Sequence, residues 1–216
     1  NEISNKFNLD FSTDKANKKY CRVMNKKNVY LFRIYYSPVY GSEEFIKFEV
    51  NFNDELIYPV SFENIKHLFD SELIKDLEFI ENLRISIEKN IPCYDLREIA
   101  IEKIRAILTR PAIKERDLID LFLISKKMNI WDLDKKKIIW KILSSKSFIR
   151  KLSEKIQNNL EMLMKGNNHV IEEKEKLLLI EIEDEEYSEF EKKITPLLVE
   201  IGKQSLLKLS IIKERE

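Results

Sequence analysis

Near residue 95 the spacing of apolar residues changes from every second position to every third or fourth, so the chain must change architecture there. Upstream, the runs VYLFRIYY (29–36) and FIKFEVNF (45–52) are rich in aromatic and β-branched residues and flank Gly41-Ser42. They are expected to form two adjacent strands joined by a loop. In the second run Ile46, Phe48, Val50 and Phe52 share one face, and Phe45, Lys47, Glu49 and Asn51 the other. The wholly apolar face is expected to be buried. The opposite face carries Glu49 in mid-strand, with Lys47 two residues away. A third extended run is expected at 83–87, with a short helix over 71–80 between them.

Downstream, Asp95-Leu96-Arg97-Glu98 has the D-x-x-E form of a capping box, so a helix is expected to start there. Leu96, Ile99, Ala100, Ile104, Ile107 and Leu108 give it an apolar stripe at helical spacing, and Pro111 ends it. Further helices are expected over 115–127, 131–143 and 147–164, then a turn at Gly166-Asn167-Asn168. A last long helix over 186–209 would bend at Pro196. Only 3 glycines among 216 residues, with heavy use of Ile, Lys and Glu, suit a helix-rich chain. The plan is α+β: an N-terminal mixed sheet with helices over 1–127, then a C-terminal helical bundle over 128–216. The chain starts at Asn1 rather than Met, so its natural N-terminal segment is expected to be missing.

Several function classes recede on composition. No apolar run reaches the length of a membrane span, and no secretory signal opens the chain, so no membrane partner is expected. Cys21 and Cys93 have no metal-ligand spacing and read as reduced thiols of a cytoplasmic protein. His67 and His169 lie far apart, against a zinc site or a His-based triad. The 38 Lys and Arg balance 38 Asp and Glu, so there is no global attraction to nucleic acid. Charge is nevertheless uneven: residues 135–155 are basic and residues 172–191 acidic. These are either two solvated helix faces, or a local phosphate-binding face balanced by an acidic tail.

Lys103 lies inside the apolar stripe of its helix. It must either snorkel outward or meet an acidic or phosphate partner, because an unpaired buried ammonium is costly. On the next helix, Asp117 and Asp120 lie three residues apart on a face continued by Leu121 and Ile124. Carboxylates directed with an apolar stripe need a cation or a metal. A Lys103–Asp117 pair across the two helices is the natural expectation, as a structural salt bridge or as the edge of a phosphate-handling cleft.

The run LREIAIEKIRAILTR (96–110), followed by RDLIDL (116–121), resembles the most recognisable stretch of the AbiEii/AbiGii toxin family. There a helix with a leading acid and a K-x-x-A-x-x-x-R segment leads to R-D-L-x-D. Glu98, Lys103, Ala106, Arg110, Arg116, Asp117, Leu118 and Asp120 stand at those positions. The resemblance implies a nucleotidyltransferase of the polymerase-β-like superfamily that uses an NTP and Mg²⁺ (or Mn²⁺). Asn8-Leu9-Asp10-Phe11 stands where the family has D-[IL]-D-F, and Glu49 matches its third-acid strand.

By that likeness Asp10 and Glu49 would hold metal, and Asn8, Lys47, Arg110 and Arg116 would bind nucleotide. Lys103 would contact phosphate or offset transition-state charge. Asp117 would orient it or act near the acceptor hydroxyl. Asp120 reads as structural, and Arg105 as a solvated residue. Two-metal nucleotidyl transfer needs converging carboxylates, so Asn8, a neutral amide, would weaken one metal. The implied protein is a toxin of a toxin–antitoxin, abortive-infection system. It would modify RNA, tRNA included, or a protein, and have a cognate antitoxin as partner. The alternatives are a catalytically degenerate nucleotide- or RNA-binding module of the same fold, and a helical interaction domain without nucleotide affinity.

Overall fold

A computed structural model describes residues 9–24, 29–38, 40–52, 55–64, 90–144, 149–166 and 182–214. The architecture is α+β, a small antiparallel sheet followed by helices. The chain separates into two compact units, residues 1–55 and 56–216. The expected strand at 83–87, helix at 71–80 and the acidic stretch up to residue 181 lie outside the described residues.

The first unit holds β1 (Cys21–Met24), β2 (Val29–Tyr36) and β3 (Glu44–Asn51), in the order β1-β2-β3. All pairs are antiparallel: Phe32 lies opposite Cys21 on one side and Phe48 on the other. The β2–β3 connection turns at Gly41, whose φ of 111° lies in the region open to glycine. Beyond β1, Asp10 bridges Tyr35 of β2 through two backbone hydrogen bonds of 2.9 and 2.8 Å.

The register confirms that Ile46, Phe48 and Val50 share a face, with Ile34, Phe32 and Tyr30 opposite them. That face is not buried as expected: Phe48 is 56% exposed and Phe52 69%. The described residues of this unit contain no helix to pack over that face, and only the segment 11–13 lies beside Phe32, Ile34, Phe48 and Val50.

The second unit begins with a two-stranded ladder of β4 (Ser61–Asn64) and β5 (Asn90–Cys93). There follow α1 (Leu96–Thr109), α2 (Glu115–Ser125), a 3₁₀ turn (Ile130–Asp132), α3 (Lys135–Leu143), α4 (Ile149–Met164) and α5 (Asp184–Lys213). Helix α1 is the hub and packs against α2, α3, α4 and α5. Its Ile101, Ile104, Ile107 and Leu108 have no exposed surface. Each buried Ile or Leu contributes about 1.5–3 kcal/mol to holding the bundle together. Met128 packs against this core, inside the unit that spans 56–216.

Helix α1 starts where its sequence signals it, with the Asp95 side chain accepting from the Arg97 amide. Glu98, however, does not reach back to complete a capping box. Its Oε2 accepts from the amides of Ile57 and Tyr58 at 2.9 and 3.0 Å, and its Oε1 from Lys141 Nζ at 2.8 Å. The helix expected over 131–143 is interrupted. Asn129 caps the 3₁₀ turn, and Asp134 then caps α3 by accepting from the Lys136 amide. Gly166, with φ 68°, turns the chain after α4, and Asn167 and Asn168 of the expected turn lie outside the described residues. Pro196 is carried inside α5.

Candidate active site

The second unit brings four expected residues together where α1 and α2 meet. Asp117, in the first turn of α2, has no exposed surface. That placement favours a carboxylate electrostatically, because the unpaired amides at a helix start carry partial positive charge. Still, a wholly buried carboxylate requires cations. Lys103 supplies one, with Nζ 3.5 Å from Asp117 Oδ1, and the Arg110 guanidinium grips Oδ2. Lys103 also pairs with Asp120, one turn further along α2. The expected Lys103–Asp117 pair therefore exists, and two further charges complete it. Arg116 is exposed on α2.

Lys103 and Asp120 face an open groove between α1 and α2, lined also by Leu96, Ile99, Leu123, Ile124 and Lys127. Positions 96, 99 and 103 follow one face of α1, and 120, 123 and 124 one face of α2, with Lys127 in the turn just after it, which explains the lining. The groove thus has aliphatic walls, Lys103 and Asp120 at one end and Lys127 in its rim. Asp117 lies beneath it and does not line it. The Lys103 side chain is 28% exposed and that of Asp120 39%, against 0% for Asp117. Asp120, read from the sequence as structural, pairs with Lys103 and also lines the groove. Its three-residue spacing from Asp117 gives the shared side of the helix, but not the difference in depth.

Asn159 of α4 also escaped the sequence reading. Its side-chain amide donates to the carbonyls of Ile107 and Arg110, at 2.9 Å each, and so fixes the end of α1. No motif announces it. Arg105 pairs with Glu102 on its own helix, partly buried rather than fully solvated.

The basic stretch is not uniformly solvated among the described residues. Lys141 is buried, 2.8 Å from Glu98 and 2.9 Å from Glu102. Burial disfavours its charge, but the hydrogen bonds to Glu102 and Glu98 outweigh that and raise its pKa. Lys135 pairs with Glu200 at 2.6 Å, and Lys137 lies over the Tyr58 ring.

In the first unit, Asp10 accepts from Lys19 Nζ at 2.8 Å and from the Tyr20 hydroxyl. Those two bonds hold its carboxyl below the usual range. Lys19 also sits over the rings of Tyr20 and Tyr35. Lys47 and Glu49 form an exposed pair at 2.9 Å. Asn8 lies outside the described residues.

Asp10 and Glu49 do not form a shared metal site in this sheet. Asp10 is paired with Tyr35 on one side of β2, and Glu49 with Leu31 on the other, four residues along. Strand spacing and rise then separate their Cα atoms by about 16 Å. Oxygens sharing one Mg²⁺ ion lie only about 3–4 Å apart, closer than the two side chains reach. Among the described residues no group of three or more His, Cys, Asp or Glu is gathered to hold a metal. Nor is any described helix long and apolar enough to cross a membrane.

Comparison with known families gives a match over nearly the whole chain, residues 2–206, to a family described as "Nucleotidyl transferase AbiEii toxin, Type IV TA system". No curated protein and no solved structure matches. The helix pair that carries Lys103, Arg110, Asp117 and Asp120 lies inside the matched span, and the chain belongs to the AbiEii nucleotidyltransferase toxins of type IV toxin–antitoxin systems.

Proposed function

We propose that this toxin transfers a nucleotide from an NTP to an acceptor hydroxyl on RNA, tRNA included, with Lys103 as the cation that meets the phosphates. The observation that supports it is an ammonium on the wall of an open groove, fixed from beneath by a carboxylate with no exposed surface. In the transfer, the acceptor oxygen bonds to the α-phosphorus, the bond to the β-phosphate oxygen breaks, and pyrophosphate leaves. The hydroxyl proton passes to solvent. Negative charge builds on the phosphate oxygens during that exchange, and a pre-placed ammonium offsets it without reorganising.

Asp117 is the residue that holds Lys103 in place, and Arg110 shares that carboxylate. Arg116, exposed at the start of α2, and Lys47 in the first unit are further nucleotide-binding candidates. The NTP arrives as its Mg²⁺ (or Mn²⁺) complex. Asp10 and Glu49 are the proposed metal acids by family likeness, but their separation and their lysine partners do not fit a common ion, so no step is routed through them. A cognate antitoxin is the proposed protein partner.

Incubation of the full chain with each radiolabelled NTP and total RNA tests the reading. Label should enter RNA, and Lys103→Ala should slow it about 10²–10³-fold, the usual loss for a group that offsets transition-state charge. Asp117→Asn should fall with it. Unchanged transfer by Lys103→Ala would sink the assignment. The lysine-paired, separated Asp10 and Glu49 favour a second reading, a module that binds nucleotide without turning it over. NTP binding by the wild-type chain without transfer under any of the four NTPs selects that reading.

A further inference from the structure

Lys103 is shared by two carboxylates of different standing. Asp117 is wholly buried and also gripped by Arg110; Asp120 is 39% exposed and sits in the groove lining itself. Removing a partner from a buried pair leaves an uncompensated charge in the interior, which fixes Asp117 in place. A half-exposed ion pair is weak, because water competes for both ends. The two acids therefore differ in how easily they release the same ammonium.

We infer that Asp120 stands in for a phosphate against Lys103 in the empty groove and gives way when a triphosphate enters. This rests on the proposal that Lys103 meets the phosphates. As the four side chains stand, two cations and two anions cancel, and the groove presents no net charge from them. A triphosphate brought to Lys103 is repelled by the neighbouring Asp120 carboxylate, and of the two anions the protein-borne one is the loosely held. Once Asp120 swings away, Lys103 carries one uncompensated positive charge toward the groove, and Lys127 lies further along the same lining.

The exchange explains why one helix face needs both acids. Asp117 aims Lys103, and Asp120 sets how strongly an anion must bind to claim it. A single phosphate competes poorly for that ammonium, whereas a triphosphate brings several charges to the same groove. Asp120 is thus a positioning residue that acts through Lys103 and sets the affinity for nucleotide.

Calorimetric titration of the full chain with inorganic tripolyphosphate and with each NTP tests this, on the wild type, Asp120→Asn, Asp120→Glu and Lys103→Ala. Asp120→Asn keeps the side chain's size but loses its charge, and should bind tripolyphosphate and NTP about two- to fivefold more tightly, the fold-change expected from removing an exposed ion pair. The KM for NTP in the transfer assay should fall by the same factor. Asp120→Glu should return both values toward wild type. A structural lesion loosens binding, so tightening cannot arise from damage, and thermal melting of each variant checks the fold. Weaker or unchanged binding by Asp120→Asn, with Lys103→Ala still impaired, overturns the exchange and leaves the Lys103 reading standing. Lys103→Ala binding like wild type, or no triphosphate binding at all, overturns both.

Discussion

The side-chain amide of Asn159 lies 2.9 Å from the carbonyl of Arg110, so α4 secures the residue at which α1 ends. The same nitrogen bonds the carbonyl of Ile107 at 2.9 Å. Carbonyls in a helix's last turn lack partners within the helix, and these are closed off by protein rather than water. The consequence reaches the site, because the Arg110 guanidinium holds Asp117. Asn159→Leu, close in size, should destabilise the chain by about 1–3 kcal/mol through carbonyls left buried and unpaired. Urea unfolding measures it; a midpoint equal to wild type would show that the amide does no such closing.

Lys141 sets an alkaline limit on stability. Both it and Glu98 are buried, and replacing Lys141 by Met strands the acid, at a cost of about 3–5 kcal/mol near neutral pH. The folded-state pKa of Lys141 is raised above its ordinary 10.5. Its contribution is therefore full below that ordinary value and drains away as pH climbs through the raised one. Thermal melts from neutral to strongly alkaline pH should show wild type and Lys141→Met converging at the top of the range. A gap that stays constant there would refute the linkage.

Gly202 of α5 faces Leu160 of α4 with no room between them. A Cβ on Gly202 would come within 2.6 Å of Leu160 Cδ2 and 3.1 Å of its Cγ. Overpacking costs about 1–3 kcal/mol, more than the ~1 kcal/mol that alanine gains over glycine in a helix. Gly202→Ala should therefore lower the melting temperature. Combined with Leu160→Ala it should cost less than the two changes added, a coupling of about 0.5–3 kcal/mol. Strict additivity in that double-mutant cycle would deny the contact.

The helical half was the more legible in sequence, because capping and periodicity are local. Asp95 marks the start of α1, Pro111 follows its end, and the stripe through Ile104 and Ile107 is buried as read. The lysine and aspartate of adjacent helices also meet, since helix faces follow from spacing alone. What spacing cannot give is depth: the difference between buried Asp117 and half-exposed Asp120, and the burial of Lys141 within a basic stretch. Short strands such as β1 and β4, four residues each, carry too few alternations to stand out. Alternation also fixed which residues of β3 share a face, but not whether anything covers that face. The separation of Asp10 from Glu49 is a matter of strand order, which a single chain of letters does not reveal.

Glu98 heads the stretch whose sequence resembles the family's, yet both its oxygens are engaged in architecture: one on Lys141, the other on the amides of Ile57 and Tyr58. It works as a rivet joining α1, α3 and the irregular segment that precedes β4. A descendant stripped of every nucleotide contact would still need that rivet to assemble. The opening acid of that stretch therefore serves the framework, and the chemistry proposed above rests on Lys103 and its two unequal counter-charges.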